Sequence, residues 1–244
     1  QGRHLESRTQ AWTERAMRSR SAHSSPSATS DRTRNAAGSA ILPLAPNVKV
    51  LMYHRVVPDG TPHGRHAVSV STFRRQLHML DVLGCTPVTF RDLASHARDE
   101  LTLPRRPVVL TFDDGYVDLL ERVAPAMEKM AWNAVVFALG DPSVRTSRWD
   151  RTSPDGEHPL MEDEHLRTLS RLGFEIGSHT LTHPDLTFLG IHQAWEEVTL
   201  SKKALEDRLG EPVTSFSYPF GLHNGTVRSL VAAAGYQFAC GVYT

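Results

Sequence analysis

From Val48 onward short β-rich runs alternate with helical stretches, and this alternation limits the folds open to the chain more than any other property. Residues 48–57, 86–90, 107–112, 133–139, 174–178, 213–218 and 236–242 are predicted strands, seven in all. Between them Phe73, Leu77, Leu80 and Leu83 recur at helical spacing, as do Leu166, Leu169 and Leu172, and Trp195, Val198 and Leu205 mark a third such stretch. Runs such as Val108-Val109-Leu110 and Ala134-Val135-Val136-Phe137 are almost continuously apolar, which suits parallel strands covered by helices. The expectation is an α/β chain with a barrel-like (β/α) repeat. No Gly-x-Gly-x-x-Gly follows a strand and no Gly-Lys-Ser/Thr phosphate loop is present, so neither dinucleotide nor nucleotide binding is indicated.

Composition narrows the class further. With 40% hydrophobic residues in 244, there is enough apolar side chain for a sizeable core. Lys and Arg number 27 against 27 Asp and Glu, so no broad basic field favours nucleic acid. Cys85 and Cys240 are too few for a disulfide framework, and no apolar run approaches the roughly 20 residues that span a bilayer. Residues 1–45 carry seven Arg against three acids, and 19–39 lack large apolar side chains. A disordered Arg/Ser-rich leader over 1–45, followed by one domain over 46–244, is expected.

In a parallel barrel, catalytic groups sit where strands end and loops begin. Three such ends carry chemistry. The first, Leu110-Thr111-Phe112-Asp113-Asp114-Gly115-Tyr116, leaves two adjacent carboxylates at the rim of a core, a costly arrangement unless a cation or shared proton relieves it. An Asp-Gly turn accounts for the segment equally well by itself. The second, Ser178-His179-Thr180-Leu181-Thr182-His183-Pro184, sets two imidazoles four residues apart. Thr180 stands where a zincin helix has Glu, and Pro184 disfavours helical geometry at His183, so any base comes from elsewhere. Two His and one carboxylate, for which Asp114 is available, form a divalent-metal set with open positions. Among 13 His, though, an i,i+4 pair also arises by chance. The third end, Ser217-Tyr218-Pro219-Phe220-Gly221, could wall a pocket and offer a backbone N–H to an oxyanion, or be only a tight turn with packed aromatics. Met52-Tyr53-His54-Arg55 places His54 near the end of the first strand, and loop 140–159, with Trp149-Asp150, falls on the catalytic side.

Together these segments resemble the polysaccharide deacetylases, the carbohydrate esterase family with the NodB homology domain. Thr111-Phe112-Asp113-Asp114-Gly115 is similar to the family's first motif, Ser178 to His183 to its second, and Ser217 to Gly221 to a variant of its third. The resemblance covers about residues 48–244 and implies a distorted (β/α) barrel of the NodB type. It also implies a hydrolase that removes N- or O-acetyl groups from a sugar polymer with the help of a divalent metal, zinc first, cobalt or nickel otherwise. Asp113 would be the base, Asp114, His179 and His183 the metal ligands, and the Tyr218 N–H part of the oxyanion site. An acetylated polysaccharide, an N-acetylglucosamine-containing polymer, would be the partner, and an extracellular or envelope location would follow.

Two departures matter. Ser217 stands where the family's third motif has an Arg that orients the base, and no distal Leu-x-His appears before Thr244. Met52-Tyr53-His54 is similar to the signature of the permuted branch that includes poly-N-acetylglucosamine deacetylases, which assigns His54 as acid or site organiser. His223 and a residue beyond Thr244 are the alternatives. A non-catalytic polysaccharide-binding module on the same fold, or an amidase acting on a small amide, are the rival readings.

Overall fold

A computed structural model describes Leu42 and residues 47–242. The predicted leader therefore lies outside the described residues, apart from Leu42, whose N–H donates to the Gln237 carbonyl at 2.7 Å.

The main sheet has seven strands, β1 (Lys49–Tyr53), β4 (Thr86–Pro87), β5 (Pro107–Phe112), β6 (Val135–Ala138), β7 (Glu175–Ser178), β8 (Ser215–Ser217) and β9 (Phe238–Cys240), all paired in parallel. The order runs β1-β5-β6-β7-β8-β9. Thr111 of β5 pairs with Met52 on one edge and Val135 on the other, while Val108 pairs with Val50's neighbour Lys49 and with Pro87. The short β4 and β6 thus share one edge of β5, β4 at its start and β6 at its end. The curled sheet matches the expected distorted (β/α) barrel.

Two differences from the predicted strands have local causes. The run 48–57 breaks at His54: its second half, β2 (Arg55–Val57), leaves the barrel to pair with β3 (Ala67–Ser69) in a separate two-stranded parallel sheet. The run 86–90 stops at Pro87, because Thr89 caps helix α2 (Phe90–Ala97), accepting from the Asp92 N–H while Asp92 accepts from the Thr89 N–H. This is the Thr-x-x-acid arrangement of a capping box. Phe90 then turns inward rather than continuing a strand.

Alternate side chains of the strands enter two apolar layers, as a pleated sheet requires. Leu110, Phe112, Val136, Ile176 and Phe216 pack under the outer helices α1 (Val70–Val82), α4 (Asp163–Arg171), α5 (Ile191–Leu209) and α6 (Gly225–Ala233). A short α3 (Ala124–Glu128) follows a π turn on the same side. Val109, Val135, Phe137 and Phe238 face the concave side, where Phe90 of α2 plugs the barrel, 5.2 Å from the ring of Phe238. Gly177 shares this inner face, and a Cβ there would stand 2.5 Å from the Phe137 ring, so the position takes glycine.

The helical spacing is confirmed with shifts at the ends. Phe73, Leu77, Leu166, Leu169, Val198 and Leu205 are buried, whereas Leu83 follows α1 and is exposed, and Trp195 lies beside the buried stripe of Ala194, Val198, Ser201 and Leu205. Gly210, at φ 72°, ends α5 in the left-handed conformation that glycine adopts freely. Because Leu205 is fully buried between α5 and the sheet, Leu205→Ala is expected to cost about 3 kcal/mol, within the range for cavity-forming substitutions. Urea unfolding measures it, and a loss below about 1 kcal/mol would show that the helix repacks.

Candidate metal centre and active site

Parallel pairing brings the C-terminal ends of the strands to one end of the barrel, so the residues that follow Phe112, Ser178 and Ser217 converge without being close in sequence. Asp113, Asp114, His179 and His183 are all buried there. One Asp114 oxygen, Oδ1, lies 3.2 Å from Nε2 of His179 and 3.2 Å from Nε2 of His183.

The backbone is bent to make this possible. Asp114 (φ 72°), Thr180 (φ 67°), His183 (φ 71°) and Phe220 (φ 59°) all occupy the left-handed region, which L side chains seldom enter. Such strain persists only where surrounding contacts over-determine it. Around the histidines they do: the Thr180 hydroxyl accepts from the His183 N–H at 3.0 Å and donates to the His179 carbonyl. Glu197 of α5 accepts from the N–H groups of both Leu181 and Thr182 at 2.9 Å and from the Thr182 hydroxyl at 2.6 Å. A single carboxylate on the longest helix therefore clamps the loop that spaces the two imidazoles.

Protonation can be read from the partners. His179 Nδ1 lies 2.8 Å from the Ser217 carbonyl, which only accepts, so Nδ1 carries hydrogen and Nε2 of the neutral ring turns its lone pair to Asp114. Burial acts to raise the Asp114 carboxyl, but the two imidazoles outweigh it and hold that group well below the usual carboxylate range. Burial lowers His183, whereas at His179 the facing Asp114 carboxylate and the charge of Asp113 overcome burial and raise it. An ionised oxygen facing two imidazole nitrogens is relieved by a cation, and Asp114 Oδ1 and His183 Nδ1 have no hydrogen-bond partner. The three ligand atoms lie within 4.8 Å of one another, so the expected Asp-His-His group fits a divalent metal.

Asp113 stands apart from that group. Its Oδ2 accepts from the Ser217 hydroxyl at 2.9 Å, and its buried Oδ1 has no partner. Its N–H donates to the Tyr53 carbonyl at 2.9 Å, which sets the end of β1 and the neighbouring His54 beside it. The His54 ring stacks on that of His66, centroids 4.9 Å apart, and lines a groove of about 480 Å³ along β1 with Met52, Tyr53, His66, Gln76 and Met79.

The third strand end requires a correction. The Tyr218 N–H donates to the Cys240 carbonyl at 3.0 Å in the ladder between β8 and β9, so it is not free for an oxyanion. Pro219 has no N–H. The next donor along the turn is Phe220, whose ring meets that of His183 edge-on at 4.8 Å. His223 is exposed and packs against the Tyr218 ring at 4.8 Å. Cys85 and Cys240 are free thiols, and burial pushes that of Cys240 up.

Loop 140–159 does reach the site. Trp149, in the short turn Arg148–Asp150, stacks on the His183 ring at 3.8 Å with 15° between the planes. Asp150 beside it is buried and accepts from the Tyr116 hydroxyl at 2.5 Å. Trp149→Ala is expected to weaken metal binding about tenfold by freeing the His183 ring, a loss typical of groups that orient a ligand. Competition titration with a chromophoric chelator measures it, and unchanged affinity would mean that the backbone alone orients His183. The Trp149 stack, the Glu197 clamp and the position of Phe220 escape sequence reasoning. The only local signal is the run of polar and aromatic residues in each loop.

Comparison with known proteins decides the family: the polysaccharide deacetylase profile matches residues 100–239, more than half of the chain. The chain belongs to the polysaccharide deacetylase family. It is 26% identical over 188 residues to YxkH of Bacillus subtilis (strain 168), whose name places it among the polysaccharide deacetylases, covering 77% of this chain and 62% of that protein. It is 32% identical over 90 residues to the poly-β-1,6-N-acetyl-D-glucosamine N-deacetylase of Escherichia coli (strain K12), covering 37% of this chain and 13% of that enzyme. The chain thus spans less than two thirds of both curated relatives. BC0361, a polysaccharide deacetylase from Bacillus cereus, has a crystal structure that superimposes with a TM-score of 0.63 at 26% identity, covering 79% of this chain and 56% of that one. Among the described residues no helix is long and apolar enough to cross a membrane.

Proposed function

We propose that this protein is a metal-dependent hydrolase that removes N-acetyl groups from an N-acetylglucosamine-containing polysaccharide. The observation that carries this reading is a carboxylate with one unpartnered oxygen, Asp113 Oδ1, next to the buried Asp114, His179 and His183 group. Family membership and the Escherichia coli relative support the choice of substrate. A polymer of this kind lies outside the cytoplasm, so an envelope or extracellular location accompanies the reading.

Asp114, His179 and His183 would hold the ion, zinc being the first choice for two imidazoles and a carboxylate. When bound, such an ion lowers the pKa of water and polarises an acyl oxygen. The remaining work falls to the chain. Asp113 Oδ1 takes the proton of the attacking water as general base. With Tyr218 committed to Cys240, the Phe220 N–H donates to the oxyanion that develops on the acetyl carbonyl. His54, which follows the Tyr53 carbonyl that accepts from the Asp113 N–H, donates a proton to the departing sugar amine. Aromatic shielding by Trp149 and Phe220 keeps the imidazole of His183 out of bulk water.

The test is acetate release from N-acetylglucosamine oligomers and peptidoglycan fragments with zinc, cobalt or nickel added. Release that needs the metal supports the reading. A folded, metal-loaded protein that releases none would be a polysaccharide-binding module on the same fold.

A further inference from the structure

We propose that Ser217 is the positioning residue of Asp113, its hydroxyl holding Oδ2 so that Oδ1 is the oxygen presented to the reacting water. The inference rests on the deacetylase reading above and deepens it, since the family resemblance expects an Arg for this task and the chain has none at this position.

Ser217 acts from both ends of its short side chain and backbone. Its hydroxyl donates to Asp113 Oδ2 at 2.9 Å, and its carbonyl accepts from His179 Nδ1 at 2.8 Å. One buried residue on β8 thereby sets both the base and the tautomer of a metal ligand. Its neighbour on the same face, Ser215, does the corresponding work one level deeper in the barrel, donating to the buried Glu175 at 2.6 Å. The inner face of β8 is thus a pair of hydroxyls, each serving a carboxylate from another strand. Phe216 between them faces the outer helices.

The need for such a donor follows from torsional freedom. Rotation about the bond to a carboxylate is broad and roughly two-fold, so an Asp with neither oxygen held does not select which one faces the reaction. A single bond to Oδ2 makes that selection and leaves Oδ1 unpartnered, as it is here. A longer guanidinium side chain would have to occupy the space between Ser217 and Asp113 that one hydrogen bond now spans.

The proposal is tested with Ser217→Ala and Ser217→Thr in the full chain, comparing kcat, KM and affinity for Co2+ read by absorbance titration. Ser217→Ala is expected to lower kcat about tenfold to a hundredfold with KM within about twofold, as for other groups that orient a reacting residue. Affinity for Co2+ should stay within about threefold, because the carbonyl that serves His179 is retained. Ser217→Thr, which restores the hydroxyl, should recover most of kcat. A Ser217→Ala enzyme with wild-type kcat overturns the proposal while leaving the deacetylase reading intact. Equal losses in both variants also overturn it, in favour of packing, and a metal-loaded wild type without turnover overturns the deacetylase reading together with this inference.

Discussion

Asp113→Asn is expected to bind zinc as the wild type does and to release acetate at least a hundredfold more slowly. General-base catalysis contributes about 10²–10⁴ in rate, and the amide removes it because its nitrogen cannot take a proton at neutral pH. Little else should change. The amide oxygen can still accept from the Ser217 hydroxyl, and Asp113 is not among the three groups whose ligand atoms converge. The measurement pairs acetate release with zinc affinity by calorimetry. Turnover within a few-fold of wild type would remove Asp113 from the role of base, and lost zinc affinity would move it into the ligand set.

The second large effect is expected at His179. His179→Ala should abolish both zinc binding and acetate release, since the remaining pair of Asp114 and His183 offers two ligands where the centre has three. A thermal unfolding experiment with and without zinc reads this directly. At zinc a hundredfold above its dissociation constant the wild type should gain about 2.7 kcal/mol, and the variant nothing. The variant is also expected to be less stable without metal by about 1–3 kcal/mol, because the buried Ser217 carbonyl loses its donor. A variant still stabilised by zinc to the wild-type extent would rule out His179 as a ligand. Comparison with Asp113→Asn separates the two roles: one substitution removes a proton acceptor, the other removes the ion's seat.

Much of this architecture was legible because it is written locally. The strand 107–112 appears at its expected bounds since six consecutive buried residues, Pro107 to Phe112, admit only a strand covered on both faces. The Asp114, His179 and His183 group was legible because each member follows a recognisable strand end. Other elements were not. Phe90 has the composition of a strand and begins a helix, because the Thr89 and Asp92 cap outweighs β propensity. Residues 48–57 form one β-rich run by pattern but two strands in space, since parallel pairing with β5 ends at Tyr53 and the chain then turns to β3. The motif alone points the Tyr218 N–H at an oxyanion, and only the pairing with the Cys240 carbonyl commits it elsewhere.

The sequence by itself determined the strand and helix alternation, the barrel class and the side chains of the Asp-His-His group, because periodicity and ligand chemistry are properties of short segments. Only the tertiary structure decided which carboxylate oxygen is left unpartnered, which turn N–H is committed, and what holds His183 in place. Ser217 and Asp113 meet across 104 residues of chain, Glu197 reaches back 15 residues to Thr182, and Trp149 lies on a ring from another strand end. Contacts of that range arise from the closing of the sheet, and no local pattern of residues encodes which partners it will bring together.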